Sequence, residues 1–278
     1  MEKTNLHIAA GKHLAVSEQT LAIVLTADGY SFCIGGQNPL VLSHLYAGNY
    51  PENWQSWVPG EQFLWLKKQH PELQKKYQQV HLGIESRRST LLPSAVYREG
   101  TGTDYYELVF GRVDNEQLHR DSLLAIQAEL ISAFRIGQAT AASLHFSPIK
   151  VFSLEALLAM RWQRQLNADE SEQTFVHLQE QMMLVWHAKN QKWEHANRYE
   201  VTTANDVLYY LSLLGIGQSS PIFLSGESPL LEESYNLLGQ YFSTLQWLGH
   251  DPLLAFDPQW SNLSPAAWQA LFACLCAS

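Results

Sequence analysis

Two histidines whose type and spacing could bind a metal ion flank a predicted hairpin turn. His187 and His195 lie on either side of Asn190-Gln191, and imidazole nitrogens are common zinc ligands. Counting outward from that turn places His187 opposite Glu194 and His195 opposite Trp186. The two imidazoles are therefore expected on opposite faces of the hairpin, and the sequence predicts no metal site.

The three cysteines form no recognisable redox or metal motif. Cys274 and Cys276 lie two residues apart in an apolar C-terminal segment, far along the chain from Cys33. An odd number of thiols cannot all pair, and no further metal ligands lie nearby. We expect three buried thiols in a reducing, cytoplasmic compartment, since the N-terminal residues also lack the layout of an export signal.

Motifs for nucleophilic or phosphate-loop chemistry are missing. The segment Ser225-Gly226-Glu227-Ser228 does not form a Gly-x-Ser-x-Gly elbow, and no stretch ends in Gly-Lys-Ser/Thr after a glycine-rich loop. We therefore assign no catalytic residue.

Composition limits the possible partners. A chain of 278 residues is long for a single core and favours two lobes. Its 18 basic and 27 acidic residues give a net charge of −9, which repels nucleic acid. No apolar run approaches the roughly 20 residues that span a bilayer. The sequence thus predicts a protein that does not bind nucleic acid and has no segment that spans a membrane.

The N-terminal half opens with a predicted three-stranded meander. Apolar runs at 21–26 and 30–34 flank Asp28-Gly29, which is a strong hairpin signal. The further elements expected are strands at 40–46 and 80–84, a helical region at 60–79 interrupted at Pro71, strands at 105–113 and 129–136, an ambiguous segment at 122–128, and a helical region at 138–165 broken at Pro148.

The C-terminal half repeats this order after the polar stretch 167–172. Strands are expected at 174–178, 182–188 and 193–201. Thr203 and Asp206 have the spacing of a capping box and predict a helix at 206–214. The remaining elements expected are a strand at 221–224, a helix at 230–242, a strand at 244–248 and a helix at 265–276.

Both halves open with an antiparallel triple and continue with alternating helices and strands. This order predicts an α/β protein with two RNase H-like lobes, residues 1–150 and 151–278, as in the actin-like ATPase fold. A doubly wound sheet needs crossover helices between its first strands, and the first loops here are too short for them.

Four short segments, taken in order, resemble a bacterial family filed as domain of unknown function 3822. They are Leu25–Phe32, Ser89–Tyr97, Phe146–Pro148 and Asn205–Leu211. The resemblance extends from about residue 21 to residue 248 and implies membership of the actin-like ATPase superfamily.

That superfamily binds phosphate on two glycine-containing hairpins, whose backbone N–H groups meet the phosphate and whose carboxylates hold Mg²⁺. In the first lobe the matching turn has Asp28 and Gly29, but they are adjacent rather than one residue apart, and the residue directly after the glycine is Tyr30 rather than serine or threonine. In the second lobe we take His187–Lys192 as the equivalent turn, and it has neither acid nor glycine. The second phosphate hairpin is therefore expected to be missing.

The superfamily's adenosine contact is a strand that runs into paired glycines. Only Gly226, preceded by Ser225, stands at the corresponding strand end. The resemblance thus makes Asp28, Gly29, Ser225 and Gly226 the candidate cofactor-binding residues. Each pair also has a structural explanation, because Asp-Gly suits any hairpin and glycine suits a tight strand-to-helix turn.

An aromatic-rich region permits two interpretations. Its members are Tyr46, Tyr50, Trp54, Trp57, Phe63 and Trp65. If exposed, they would form a patch for a protein partner. Alternatively, they cover the rim of a core beneath a long loop.

The fold pattern without a second phosphate hairpin favours a non-catalytic, degenerate ATPase. Such a pseudo-ATPase would act as a scaffold or protein-binding module, through a partner or self-association, and would need neither ATP nor Mg²⁺. The alternative is an ATP-binding switch or an ATP-dependent enzyme, an ATPase or phosphotransferase, with nucleotide in the cleft between the lobes. Asp28 would then hold the metal, with Ser225 and Gly226 beside adenine. A third hypothesis is an enzyme that acts on another small molecule in that cleft.

Overall fold

Strands and helices alternate along the part of the chain that the computed structural model describes, which is residues 6–9, 19–36, 40–112, 114–249, 251, 253–255 and 264–277. The strands are β1 Leu6–Ala9, β2 Gln19–Leu25, β3 Gly29–Gly36, β4 Leu40–Asn49, β5 Gln79–Ile84, β6 Ser89–Pro93, β7 Glu116–Leu123, β8 Ala128–Arg135, β9 Ile149–Ser153, β10 Glu172–Gln179, β11 Met182–Lys189, β12 Lys192–Glu200, β13 Ile222–Gly226, β14 Leu245–Trp247 and β15 Leu254–Ala255. The helices are α1 Pro59–Gln69, α2 Gly102–Phe110, α3 Gln138–His145, α4 Leu154–Gln165, α5 Ala204–Leu213, α6 Leu231–Leu238 and α7 Gln269–Leu275.

Contacts divide the described chain into two compact units. The first unit contains the described residues up to Met160 together with 253–255 and 270–277, and the second unit contains 161–251 and 264–269. The division falls within α4, whereas the lobe boundary expected from the sequence lies at 150/151. The boundary between two RNase H-like lobes at residues 150 and 151 stays a prediction.

The main sheet of the first unit has the strand order β1-β4-β3-β2-β5-β9, with β15 paired to β4. The antiparallel meander β2-β3-β4 and the parallel strand β5 confirm the β-β-β-α-β order predicted for this half. Strand β2 is buried along its whole length, as a central strand covered on both faces should be.

Helices cover both faces of this sheet. On one face the core cluster includes Phe63 and Leu66 of α1, with Leu21 of β2. On the other face α7 lies against the sheet, where Cys274 Sγ donates to the carbonyl of Ile23. The C-terminal helix therefore completes the core of the N-terminal meander.

A separate three-stranded antiparallel sheet, β6-β8-β7, lies in the first unit with α2 beside it. The strand predicted at 105–113 is wrong over its described residues, because 105–110 belong to α2 and Val113 lies outside the description. Tyr106 is buried on this small sheet while Leu108 and Val109 stay exposed. The aromatic and β-branched residues thus follow a helical face, which short-range alternation did not reveal.

The stretch 138–165 also differs from expectation. It contains α3, then strand β9, then α4, rather than a helical region with a single break at Pro148. Strand β9 pairs in parallel with β5, from Val80 opposite Ile149 to Ile84 opposite Ser153. This pairing is non-local, so the helical pattern on either side concealed it.

The second unit is built on the sheet β12-β11-β10-β13-β14. The predicted meander and the strand at 221–224 are confirmed. Helices α5 and α6 contribute Val207, Leu211 and Leu238 to its core. The capping box is confirmed as well, since Thr203 Oγ1 accepts from the Asp206 N–H and Asp206 Oδ2 accepts from the Thr203 N–H.

Candidate functional site

A cavity of about 390 Å³ lies in the first unit where β2, β5 and β8 end. The residues that line it are Leu25, Thr26, Ala27, Trp54, Gln55, Gln62, Ile84, Glu85, Arg87, Asp114, Asn115, Glu116, Ala133, Arg135 and Gln138. Apolar side chains at the strand ends and polar groups from the surrounding elements make it a candidate ligand site within the described part of this unit.

The turn between β2 and β3 forms part of this cavity and makes internal hydrogen bonds. The Ala27 N–H donates to Glu85 Oε2 at 2.7 Å. Thr26 Oγ1 accepts from the Gly29 N–H at 3.2 Å and donates to the Gly29 carbonyl at 3.1 Å. Two backbone donors of the turn thus have partners within the chain.

Asp28 and Gly29 occupy the tip of this turn. The Asp28 side chain is exposed. The backbone carbonyl of Asp28 accepts a hydrogen bond from the Tyr50 N–H. A Cβ on Gly29 would lie 2.5 Å from the Gly48 carbonyl oxygen, so glycine is required for close approach to β4. These contacts explain the residue types structurally, and a role toward a cofactor stays a prediction.

The equivalent turn of the second unit is not the one expected from the sequence. Strand β2 pairs in parallel with β5, and β10 pairs in parallel with β13. The turn between β10 and β11, Glu180-Gln181, therefore corresponds to the turn between β2 and β3, and the choice of His187–Lys192 was wrong. Glu180 supplies an acid there at a φ of 49°, but the turn contains no glycine.

Ser225 and Gly226 lie at the end of β13 in the second unit. The fully buried Ser225 Oγ donates to the Val176 carbonyl at 3.1 Å and lies 3.1 Å from His177 Nδ1. Gly226 has a φ of 131°, and a Cβ there would lie 1.8 Å from the Leu178 carbonyl oxygen. Both residues serve the packing of β13 on β10, and an adenosine contact stays a prediction.

His177 is the titratable group next to Ser225. Burial lowers its pKa to about 4, because the apolar surroundings disfavour the charged imidazolium. The imidazole is therefore neutral at pH 7 and suits hydrogen bonding within the sheet.

The histidine pair on the second hairpin is closer than the sequence indicated. His187 pairs directly with His195, and their ring centroids lie 6.0 Å apart. The expectation of opposite faces was wrong because a β-bulge beside Ala188 places Glu194 as an extra residue. Burial lowers the pKa of His187, whose Nδ1 lies 2.9 Å from Thr174 Oγ1.

Metal binding at this pair needs further ligands. Across the described residues, no three His, Cys, Asp or Glu side chains are grouped so that they could hold a metal ion. Two imidazoles fall short of the three or four protein ligands usual for zinc.

The tryptophans of the aromatic region are partly buried. Trp54 and Trp65 pack against the core cluster, with the ring of Trp54 4.4 Å from that of Tyr50. Trp57 contacts Trp65 at 5.8 Å between ring centroids. This packing agrees with the interpretation as the rim of a core.

Sequence reasoning missed Glu85, Arg87, Arg135 and Gln138. Glu85 directly follows β5, and a polar residue at the carboxyl end of a parallel strand is a sequence signal that could have identified it as a site residue. The other cavity residues come from β8, α3 and the link to the small sheet, and no local motif connects them.

Comparisons with known proteins identify the fold. A structure from Bacteroides thetaiotaomicron, described as a protein with actin-like ATPase fold and unknown function, is 17% identical and covers 95% of this chain and 97% of its own, with a TM-score of 0.77. A structure from the PilM–PilN type IV pilus biogenesis complex is 13% identical, covers 94% of this chain and 98% of its own, and has a TM-score of 0.63. These likenesses show that the chain has the actin-like ATPase fold.

Other comparisons concern membrane spans and sequence. Among the described residues, no helix is long and apolar enough to cross a membrane. A search of curated proteins finds no match to the sequence. The family described as "Protein of unknown function (DUF3822)" matches residues 13–245, and the chain therefore belongs to this family.

Proposed function

We propose that this chain is a non-catalytic bacterial actin-like protein that works by binding another protein or a second copy of itself. The observation that carries the proposal is the hydrogen bond from the Ala27 N–H to Glu85 Oε2. A phosphate that accepted a hydrogen bond from the Ala27 N–H would have to displace the Glu85 carboxylate. The negative charges of the phosphate and of this carboxylate would also repel each other at such short range. The turn is therefore poorly suited to nucleotide.

The second unit supports the same proposal. Its equivalent turn, Glu180-Gln181, offers no glycine for close approach of a phosphate. Ser228 Oγ donates to the Glu180 carbonyl at 2.6 Å, which ties the loop after β13 to this turn. A solved structure of the same fold comes from the PilM–PilN complex, so the fold occurs in a protein assembly.

We place this protein in the cytoplasm. Cys33, Cys274 and Cys276 are all free and buried, as is usual in a reducing compartment.

The alternative is an ATP-binding switch, an ATPase or a phosphotransferase. One observation favours it: Thr26 and Ala27 of the turn line a cavity of ligand size, with the exposed Asp28 next to them. Asp28 would then hold Mg²⁺ through water.

Thermal unfolding with and without millimolar ATP and Mg²⁺ tests the nucleotide part of the proposal. A ligand at about a hundred times its Kd adds about 2.7 kcal/mol, which is several degrees in Tm. We expect no rise for the wild type. Glu85→Gln keeps an acceptor for Ala27 and removes the charge, and Asp28→Asn removes the same charge from the turn tip without touching that hydrogen bond.

A magnesium-dependent rise in the wild type that Asp28→Asn abolishes would refute the proposal and support the switch or enzyme. A rise only in Glu85→Gln would identify the carboxylate as the block. The protein-binding part is tested by sedimentation velocity and by crosslinking in the native host. A strict monomer with no specific crosslinked protein would count against it.

A further inference from the structure

The amide of Gln138 points to a polar ligand in the cavity of the first unit. This side chain lines the cavity and is only 9% exposed. Among the described residues it has no hydrogen-bond partner, and Gln138 is the first residue of α3. A side-chain amide that lines a cavity without a protein partner can donate to a ligand, and the first N–H groups of a helix also lack helical acceptors. Both features suit an anionic group.

Two arginines strengthen that preference. Arg87 and Arg135 line the same cavity, and within the described chain neither forms an ion pair. Glu116 stands directly across from Arg135 on the neighbouring strand, yet the two do not pair. Guanidinium groups bind planar carboxylates through two parallel hydrogen bonds. Two arginines that form no ion pair among the described residues thus line one cavity in a chain with a net charge of −9.

The acids of the cavity restrict the ligand further. Glu85, Asp114 and Glu116 also line it, and Glu85 binds the Ala27 N–H. Asp114 lies 3.7 Å from Arg112 in an exposed pair. A polyanion such as a nucleoside triphosphate would meet three carboxylates against two guanidiniums. A ligand with one carboxylate and one ammonium group matches both signs of charge.

The volume of the cavity and its apolar lining are suited to binding a small molecule. Its volume of about 390 Å³ lies within the range of small-ligand sites. Trp54, which is partly buried against the core, offers an apolar surface for the ligand's remaining atoms.

We propose that this cavity binds a small zwitterion of the amino-acid type. Its carboxylate binds Arg87, Arg135 and Gln138, and its ammonium group faces Glu85 and Glu116. This ligand is separate from the protein partner proposed above and does not depend on it, since a scaffold can also respond to a small molecule.

Isothermal titration calorimetry of the full chain with the standard amino acids and simple dipeptides tests the proposal. At about 10 mM, even a ligand with a millimolar Kd approaches saturation. The probes for comparison are succinate as a dianion, putrescine as a dication and ATP with Mg²⁺ as a polyanion. We expect at least one zwitterion to bind and the comparison probes to bind about tenfold more weakly or not at all.

Arg87→Gln and Arg135→Gln should each weaken that binding about tenfold or more, because each removes a charge-assisted hydrogen bond. Arg88→Gln is the matched control, since the adjacent Arg88 is exposed and does not line the cavity. Arg87 is exposed too, so its variant should keep the fold. The proposal is overturned if no zwitterion binds, if succinate or ATP binds as tightly, or if Arg87→Gln and Arg88→Gln bind alike.

Discussion

Removal of the Asp251 carboxylate should strongly destabilise the second unit. Asp251 Oδ2 lies 2.9 Å from Arg161 Nη1 and 3.0 Å from Arg164 Nη2. The side chains of Arg161 and Asp251 have no exposed surface, whereas that of Arg164 is 29% exposed. Asp251→Ala therefore leaves the Arg161 guanidinium buried without the Asp251 carboxylate beside it.

The expected loss follows from that burial. Breaking a buried ion pair by removing one partner costs about 3–5 kcal/mol, a large part of the roughly 5–15 kcal/mol that holds a protein folded. At about 2–4 °C per kcal/mol for a chain of this length, Tm should fall by about 6–20 °C. Arg161 Nη2 also donates to the Gly249 carbonyl at 2.7 Å, so the backbone at Gly249 should loosen as well.

Urea unfolding and calorimetry of three variants provide the assay. Asp114→Ala is the matched control, because Asp114 pairs with Arg112 at an exposed site and should change the midpoint little. The double variant Arg161→Met with Asp251→Leu removes both buried charges and should recover at least half of the loss. Our reasoning is wrong if Asp251→Ala loses no more stability than Asp114→Ala. It is also wrong if the double variant has a lower free energy of unfolding than Asp251→Ala.

Two further predictions concern the end of β10 and β13. Gly226→Ala should lower the free energy of unfolding in urea by at least about 3 kcal/mol, since alanine strains a φ of 131° and its Cβ meets the Leu178 carbonyl. Gly60→Ala, with open space in α1, is the control and should raise stability slightly, by up to about 1 kcal/mol. Equal urea midpoints for the two variants would contradict this. The His177 imidazole has a pKa of about 4 in the folded protein and of about 6.5 in the unfolded chain, so between these pH values protons bind the unfolded chain preferentially. The free energy of unfolding of the wild type should therefore fall by up to about 3 kcal/mol as the pH drops from 6.5 to 4. His177→Leu should show a flatter profile of unfolding free energy against pH, and identical slopes would exclude this residue as the cause.

Local signals in the sequence were sufficient for several elements. Asp28-Gly29 predicts the hairpin between β2 and β3, and Thr203 with Asp206 predicts the start of α5. In each case the determinants lie within four residues of one another, so their chemistry acts whatever the rest of the chain does.

Predictions failed where pairing or packing that the local pattern does not encode decided the outcome. Strand β9 forms because β5, about 70 residues earlier, offers it a free edge in the main sheet. The bulge beside Ala188 changes which residue faces His187, and turn chemistry alone does not place a bulge. Helix α2 is stabilised by burial of Tyr106 on a sheet whose strands surround it in the sequence.

The candidate site shows the same division. The sequence by itself determined a two-part α/β chain of net charge −9 with the element order of the actin-like ATPase fold, because hydrophobic periodicity and turn residues are local properties. Only the tertiary structure decided that Glu85 meets Ala27, 58 residues away, and that Arg87, Arg135 and Gln138 line one cavity. Those encounters depend on how strands pair in a sheet, and a non-local pairing follows from the packing of the whole unit rather than from any short segment.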